Sequence, residues 1–213
     1  MVNFAKQRIR SRIEARLLEA GADDIHAEYG ERKQAVIGSM RGTVVEIGPG
    51  TGANFRYYAP GTRVIAIEPN PVMHAPLQAK AAEHDLDVEI RTLRGESIDV
   101  PDETADGVVG TMLLCGVDDP AAVIGEAFRV LKPAGTYFFV EHVVAPAGTR
   151  THTVQRIVLR PHRWMFNGCE VNRDTGAALH ASDFVDVAFD DVDRGRPGLW
   201  ARTQIVGTAT KPG

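Results

Sequence analysis

The sequence predicts an α/β fold in which a mostly parallel, seven-stranded sheet carries helices on both faces. Short β-branched runs alternate with helical patterns over most of the chain, and the connections between them are short. The first of these runs leads directly into a glycine-rich turn at residues 48–52, as a strand does when it opens into a helix beside a ligand. Both observations are typical of a ligand-binding parallel sheet.

Seven runs rich in β-branched and aromatic residues are the predicted strands. In chain order they are residues 43–47, 63–68, 88–92, 107–115, 136–142, 184–189 and 203–208. The connection at 190–202 contains a proline and two glycines and has no helical pattern. It therefore predicts a hairpin, so the final strand should run antiparallel to the others.

Helical patterns fall between these strands. The predicted helices cover residues 53–58, 72–84, 120–131, 151–165 and 173–181, and Asn172 is the expected N-cap of the last one. Residues 1–19 hold Ile9, Ile13 and Leu17 at helical spacing, with Phe4 and Leu18 close to the same face and several arginines around them. We expect this amphipathic helix to cover the ligand cleft or the sheet edge; contact with an anionic membrane is the less favoured alternative.

Composition sets the remaining bounds. The chain has 213 residues, 44% of them hydrophobic and 24% charged, which fits one globular domain. We divide it into a helical cover (1–40), a cofactor-binding core (41–145) and a substrate-side part (146–213). A net charge of −4 gives no indication of nucleic-acid binding. The two cysteines form no CxxC motif, and no apolar run is long enough to span a membrane, so the sequence predicts a cytoplasmic protein without a metal site.

The spacing of the glycine-rich turn points to a ribose-containing ligand. Glu68 ends the second strand about 20 positions after the first glycine, where an acidic side chain can accept hydrogen bonds from both ribose hydroxyls. The turn itself reads E-x-G-x-G-x-G, starting at Glu46, whereas nicotinamide-binding turns read G-x-G-x-x-G. This spacing resembles motif I of the class I S-adenosylmethionine-dependent methyltransferases, which have a Rossmann-like fold.

Further features support this resemblance in the expected order. They are Glu68, the pair Gly95-Glu96, the strand at 106–115, and the turn at 129–135, which is similar to R-x-L-K-P-G-G with Ala134 in place of one glycine. The resemblance implies S-adenosyl-L-methionine as cofactor, with its ammonium near Glu46, its ribose on Glu68 and its adenine beside Glu96. The implied cofactor-binding residues are Glu46, Gly48, Pro49, Gly50, Gly52, Asn54, Glu68, Pro69, Gly95, Glu96, Ser97 and Leu113.

Four stretches resemble the alkyl thiol S-methyltransferase branch of this family: residues 50–71, 113–117, 138–143 and 166–169. The branch implies direct methyl transfer to a small apolar thiol or dithiol. Two alternatives stay open: carbon or nitrogen methylation of a quinone or phospholipid-type acceptor, and a cofactor-binding module without turnover.

The acceptor side is expected at the carboxyl ends of the fourth and fifth strands. His142, at the end of the fifth strand, is the candidate general base, the alternative being a capped or solvated histidine. Cys115, His142, His162 and Phe166 are the candidate substrate contacts, although Cys115 also fits a small buried hydrophobic residue. The stretch containing His152, His162, Trp164 and Phe166 predicts either helix packing or a lid over an apolar thiol. Glu141 should face away from His142, because adjacent strand residues point to opposite faces.

Overall fold

The computed structural model describes residues 8–166, 168–195 and 198–213. These residues form seven strands and five α-helices. The strands are β1 (Thr43–Ile47), β2 (Arg63–Ile67), β3 (Asp87–Arg91), β4 (Ala105–Thr111), β5 (Leu131–His142), β6 (Val185–Asp193) and β7 (Thr203–Thr210). The helices are α1 (Arg8–Ile37), α2 (Pro71–Glu83), α3 (Pro120–Val130), α4 (Arg150–Met165) and α5 (Thr175–His180).

The strands form one sheet in the order β3-β2-β1-β4-β5-β7-β6. β1 pairs in parallel with β2 and β4, and β5 pairs in parallel with β4. β7 pairs antiparallel with both β5 and β6, which confirms the predicted terminal hairpin. The sheet reverses its winding direction between β1 and β4, and ligands bind at such a point, outside the carboxyl ends of the strands.

Alternation along the buried strands builds a core on each face of the sheet. On one face, Ile47 and Phe139 pack with residues of α3 and α5. On the other face, Val44 and Phe138 pack with Tyr29 of α1 and with residues of α2. Because neighbouring residues of a strand point to opposite faces, Glu46 falls on the α1 side and Ile47 on the α3 side.

Helix α1 is one continuous helix of 30 residues, and its apolar spacing misleads. Its buried face carries Ala15, Tyr29 and Ile37. Ile9 and Ile13 instead point outward and are 78% and 53% exposed, so these two side chains do not pack on the protein. Leu18 lies beside the glycine-rich turn, and the covering role of the helix stays a prediction. Phe4 lies outside the described residues. No helix of the described chain combines the length and apolar character that crossing a membrane requires.

Several predicted element bounds are wrong: β5 begins at Leu131 and β6 extends to Asp193, and three further differences have local reasons. β4 ends at Thr111 because Met112 adopts a positive φ of 54°, which turns the chain out of the strand. The helix expected at 53–58 is only a 3₁₀ turn, Phe55–Tyr57, since the side chain of Asn54 makes no capping bond. Helix α5 is capped by Asp174, whose side chain accepts from the backbone amide of Ala177, and not by Asn172.

A buried glutamine, Gln155, holds helix α4 against the body of the protein. Its Oε1 accepts from the amide of Ala145, and its Nε2 donates to the carbonyls of Val143, Val171 and Trp200. These bonds join α4 to three segments: the one that follows β5, the one that precedes α5 and the one that precedes β7. Gln155 is the buried residue of α4, whereas its apolar residues Val154, Val158 and Leu159 are half-buried.

Ala134, which stands where the motif R-x-L-K-P-G-G has a glycine, is locally strained. Ala134 has a φ of +61°, a conformation that costs a non-glycine residue roughly 1 kcal/mol. Ala134→Gly should remove this cost. About half of the gain in stability should be offset, because glycine gives the unfolded chain greater conformational freedom. We expect a net gain of about 0.5 kcal/mol, seen as a rise in Tm of roughly 1–2 °C in a thermal unfolding scan.

The matched control is Ala79→Gly, the same change at an exposed position inside α2. There glycine should destabilise by about 1 kcal/mol, because it loses more backbone freedom in a helix. A fall in Tm for both variants would contradict the assigned strain at Ala134.

Candidate cofactor and acceptor site

A cleft with an empty volume of about 430 Å³, its open mouth included, lies at the carboxyl ends of β1, β2 and β4. Its walls combine aliphatic side chains with a few polar groups, as small-molecule sites do. The lining residues are Ile47, Gly48, Ile67, Pro69, Arg94, Gly95, Glu96, Leu113, Gly116, Val117 and Asp118. Five of the sequence-predicted cofactor residues are among them: Gly48, Pro69, Gly95, Glu96 and Leu113.

The floor of the cleft requires glycine at two positions. Gly48 has a φ of +69°, and a Cβ there would lie 2.9 Å from Leu113 Cδ1. A Cβ on Gly95 would lie 2.8 Å from Ile47 Cγ2. Any side chain at these positions would push the walls apart or fill the space that a ligand needs.

Glu68 stands at the inner edge of the glycine-rich turn. Its Oε2 accepts from the amide of Gly50 at 3.1 Å, and its Oε1 accepts from the amide of Asn70 at 2.8 Å. Burial raises the pKa of this carboxyl group to about 7, which the two amide bonds oppose and the charge of Glu14 on α1 reinforces. Each oxygen keeps a further lone pair, so the group has the acceptors that a ribose diol requires.

Glu46 lies outside this cleft, in a buried polar network on the α1 side of the sheet. Its Oε1 accepts from Asn54 Nδ2 at 2.8 Å and its Oε2 from the hydroxyl of Tyr58 at 3.0 Å. Lys33 of α1, which the sequence analysis did not single out, donates from Nζ to Asn54 Oδ1 at 2.8 Å. Asn54 is thus a partner of Glu46, and the contact of either with the cofactor stays a prediction.

The residues after β3 meet those after β4 across the cleft. Glu96 Oε1 accepts from the amide of Asp118 at 3.0 Å, and Arg94 Nη1 donates to Asp118 Oδ2 at 2.9 Å. Ser97 is exposed, with its amide bonded to the carbonyl of Arg94. Arg94 and Asp118 are cleft residues that no sequence pattern indicated.

Glu141 shapes the turn that follows β4. Its buried carboxylate accepts from the amides of three successive residues, Leu113, Leu114 and Cys115, at 2.9, 2.9 and 3.3 Å. Burial raises the pKa of this group to about 7, against the opposing effect of these three bonds. Glu141 therefore positions the cleft wall and makes no hydrogen bond to His142, in agreement with the expected alternation.

Three side chains far apart in the sequence meet at the ends of β4 and β5. Cys115 Sγ lies 3.6 Å from His142 Nδ1, and Cys169 Sγ donates to Cys115 Sγ at 3.3 Å. Among the described residues, this is the group of three soft donors that could hold a metal ion, with all donor atoms within 4.8 Å of one another. A closed structural zinc site has four ligands, and the absence of a metal stays a prediction.

The remaining predicted acceptor contacts lie next to this group, which we call the Cys–His cluster (Cys115, His142 and Cys169). His162 Nδ1 is 3.1 Å from the carbonyl oxygen of Cys169, and the His162 ring lies 4.6 Å from that of Phe166. Asn167, within the same stretch, lies outside the described residues. The hydrogen bond with Cys169 and burial raise the pKa of the Cys115 thiol well above its usual value, which suits a packing role.

Comparison with known proteins agrees with this geometry. A family model described as a methyltransferase domain matches residues 45–139. A solved structure of geranyl diphosphate methyltransferase in complex with S-adenosylmethionine has the same fold, with a TM-score of 0.69 at 16% identity, covering 93% of this chain and 90% of that one. The fold and the cleft therefore define a class I methyltransferase, an enzyme whose cofactor is S-adenosyl-L-methionine.

Two relatives with similar sequences indicate the family within this class. Thiol S-methyltransferase TMT1A of Homo sapiens is 34% identical over 172 residues, which are 79% of this chain and 70% of that protein. Phosphatidylethanolamine N-methyltransferase of Cereibacter sphaeroides is 32% identical over 119 residues, 55% of this chain and 59% of that protein. The chain belongs to the thiol S-methyltransferase family.

If Glu68 binds the ribose as predicted, its raised pKa should make cofactor affinity depend on pH. The ionised carboxylate is the better acceptor for the ribose hydroxyls, and its population falls as the pH drops through about 7. We expect the Kd of S-adenosylhomocysteine, measured by calorimetry, to be about tenfold higher at pH 6 than at pH 8. His74, whose Nε2 contacts the Glu68 carbonyl oxygen, provides the matched control, and His74→Gln should keep the slope.

Glu68→Gln is the decisive variant for this assignment. It keeps the shape of the side chain and cannot ionise, so the affinity should fall at pH 8 and the pH slope should flatten. An unchanged affinity at pH 8, or the same slope in the variant as in the wild type, would contradict a ribose-binding role for Glu68.

Proposed function

We propose that this enzyme transfers the methyl group of S-adenosylmethionine to the sulfur of a small, apolar thiol or dithiol. The Cys–His cluster is the observation that carries the proposal. It presents imidazole and sulfur at the carboxyl ends of β4 and β5, where acceptors of parallel-sheet enzymes bind. The nearby carboxylate of Glu141 already accepts hydrogen bonds from three backbone amides, one of them that of Cys115 in the cluster.

The similarity to the human thiol S-methyltransferase supports the choice of acceptor. It extends over 172 residues, whereas the methyltransferase-domain model covers only residues 45–139. The similarity therefore reaches beyond the cofactor-binding core toward the acceptor side.

The proposed cofactor contacts follow the geometry of the cleft. Glu68 accepts from the ribose hydroxyls, and the aliphatic walls Ile47, Ile67 and Val117 enclose the adenine. The turn at 48–52 approaches the amino-acid end of the cofactor. When bound, the cofactor supplies a methyl group on a positive sulfur; the protein has to bring the acceptor in line and exclude water.

We propose His142 as the group that receives the proton of the acceptor thiol. Its Nδ1 faces Cys115, which leaves Nε2 as the ring atom for the acceptor. A thiol with a pKa of about 8.5 is only a few per cent ionised at neutral pH, so a nearby base raises the reactive fraction. His162 and Phe166 form the adjoining wall of the proposed acceptor pocket. Both cysteines are free thiols, which supports a reducing compartment such as the cytoplasm.

The acceptor class can be tested with the purified chain and S-adenosylmethionine. An alkanethiol and an alkanedithiol should each yield S-adenosylhomocysteine and a product heavier by one methyl group per methylated sulfur, seen by mass spectrometry. The matched control is the alcohol of the same carbon skeleton, which should give no product. Turnover confined to phosphatidylethanolamine vesicles or to a phenolic quinone precursor would contradict the thiol proposal.

Nitrogen or carbon methylation is the second candidate function, and the similarity to the phosphatidylethanolamine N-methyltransferase favours its nitrogen form. That similarity spans 55% of this chain, less than the 79% matched by the thiol enzyme. Binding of S-adenosylhomocysteine without turnover of any of these acceptors would instead support a cofactor-binding module.

The base role of His142 predicts a pH-dependent defect. His142→Ala should lower kcat at least about tenfold at pH 6.5, where the acceptor thiol is protonated. At pH 9 the thiol ionises unaided, and we expect a loss of only about twofold. The measurement is steady-state methylation of one alkanethiol at both pH values.

His84→Ala is the control for this measurement, because His84 caps the far end of α2. It should leave kcat unchanged at both pH values. An equal loss of activity at pH 6.5 and pH 9 in His142→Ala would indicate a positioning role for this ring and would sink the proposed proton transfer.

A further inference from the structure

Two neighbouring helices expose large apolar side chains to solvent. In the first part of α1, Ile9 is 78% exposed and Ile13 53%; in α4, Ile157 is 72% exposed and Trp164 68%. Arg10 of α1 lies over the Trp164 ring, with its Cζ 5.8 Å from the ring centroid, so the two exposed regions adjoin. We call them together the α1–α4 surface, formed by residues 9–17 and 156–165.

The exposed apolar residues form stripes. Ile9, Ile13 and Leu17 follow one another at a spacing of four residues, so they lie along one side of α1. Ile157 and Trp164 are seven residues apart, two helical turns along one side of α4. Single exposed apolar residues need no explanation, but adjoining stripes of them mark an interaction surface.

Basic side chains surround these stripes. Exposed arginines flank the apolar residues, namely Arg12, Arg16, Arg156, Arg160 and Arg163, the last of which pairs with Glu170. Residues 8–20 and 150–165 together contain eight arginines and two glutamates, a formal net charge of +6, although the whole chain carries −4. Helix α4 contains no acidic residue. Positive charge is thus concentrated where apolar residues are exposed.

We propose that the α1–α4 surface docks on an anionic lipid bilayer, with its apolar stripes in the interface and its arginines at the headgroups. Arginines beside Ile and Trp on one helical face are the pattern of helices that lie in the plane of a membrane. Anionic headgroups supply the complementary negative charge. Because the headgroups form an extended plane, arginines of both helices can contact them together. The chain binds to the surface and does not cross it.

The surface adjoins the site described above. Leu18 of α1 reaches the glycine-rich turn, its Cδ1 being 3.6 Å from the position that a Cβ on Gly50 would take. His162, on the inner side of α4, lies 3.1 Å from the carbonyl oxygen of Cys169 in the Cys–His cluster. A bilayer at this surface would bring lipid-dissolved apolar molecules next to the acceptor side. Lipid binding itself does not depend on the proposed function.

Flotation of the full chain with vesicles tests the docking. We expect the fraction bound to phosphatidylcholine vesicles containing phosphatidylglycerol to exceed that bound to pure phosphatidylcholine at least about tenfold, and to fall as salt rises from about 0.05 to 0.5 M. In a Trp200→Phe background, the fluorescence of Trp164 should shift to the blue when anionic vesicles are added, because the indole leaves water.

Two double variants separate the charge from the apolar contribution. Arg156→Gln with Arg160→Gln should lower binding to anionic vesicles about tenfold, since each basic residue near the surface contributes about 1 kcal/mol. Ile157→Ser with Ile13→Ser should weaken binding to a similar degree at every salt concentration. The control is Val185→Ser on β6, an exposed apolar residue (44% exposed) outside the surface, which should bind like the wild type.

All of these variants should keep wild-type turnover of a water-soluble thiol in the absence of vesicles, so a failed methylation assay and a failed docking assay can be told apart. Equal binding to neutral and anionic vesicles, or equal binding by variants and wild type, would overturn the proposal. Sedimentation that shows a dimer of the wild type, lost in Ile157→Ser with Ile13→Ser, would assign the surface to a second copy of the chain instead.

Discussion

The site depends on one buried carboxylate, that of Glu46, which lies in a network with Asn54, Tyr58 and Lys33. A charge of this kind is costly to bury, and burial raises the pKa of Glu46 and lowers that of Lys33 to about 8. The hydrogen bonds offset that cost only if all partners stay in place. The network therefore ties β1, the chain after the glycine-rich turn and helix α1 into one unit, and the turn at 48–52 is held at both ends.

Two further carboxylates hold the neighbouring turns by the same means. Glu68 accepts from the amides of Gly50 and Asn70, and Glu141 accepts from three amides after β4. Burial raises the pKa of both groups to about 7. Backbone amides beyond a strand end have no hydrogen-bond partner in the sheet. A carboxylate that accepts from these amides therefore fixes the turn that follows the strand. Hydrogen bonds to buried acids therefore hold the turns beside the cleft.

Sequence predicted the parts of this arrangement that local patterns encode. β-branched runs located β1 to β3 within one residue at each end, and the glycine-rich spacing located Gly48 on the cleft; Glu68 is not among the residues that line it, and its role stays a prediction. Contacts between distant segments could not be predicted from the sequence. No pattern relates Cys169 to Cys115, because they meet only when the loop after α4 folds back to the ends of β4 and β5. Lys33 was missed because a lysine in a polar helix looks solvated, and only the packing of α1 buries it.

The prediction for α1 is informative because the regular apolar spacing is present, but Ile9 and Ile13 point to solvent instead of the protein core. Ile9, Ile13 and Leu17 share one side of the helix, while its buried side carries Ser11 and Ala15. Helix α1 packs on α2 and on the 3₁₀ turn Phe55–Tyr57, and Lys33 further along the helix reaches Asn54. The larger apolar residues remain outside, next to Trp164. The fold itself does not cover the apolar stripe of Ile9, Ile13 and Leu17. The arginines around this stripe favour the proposed contact with an anionic bilayer.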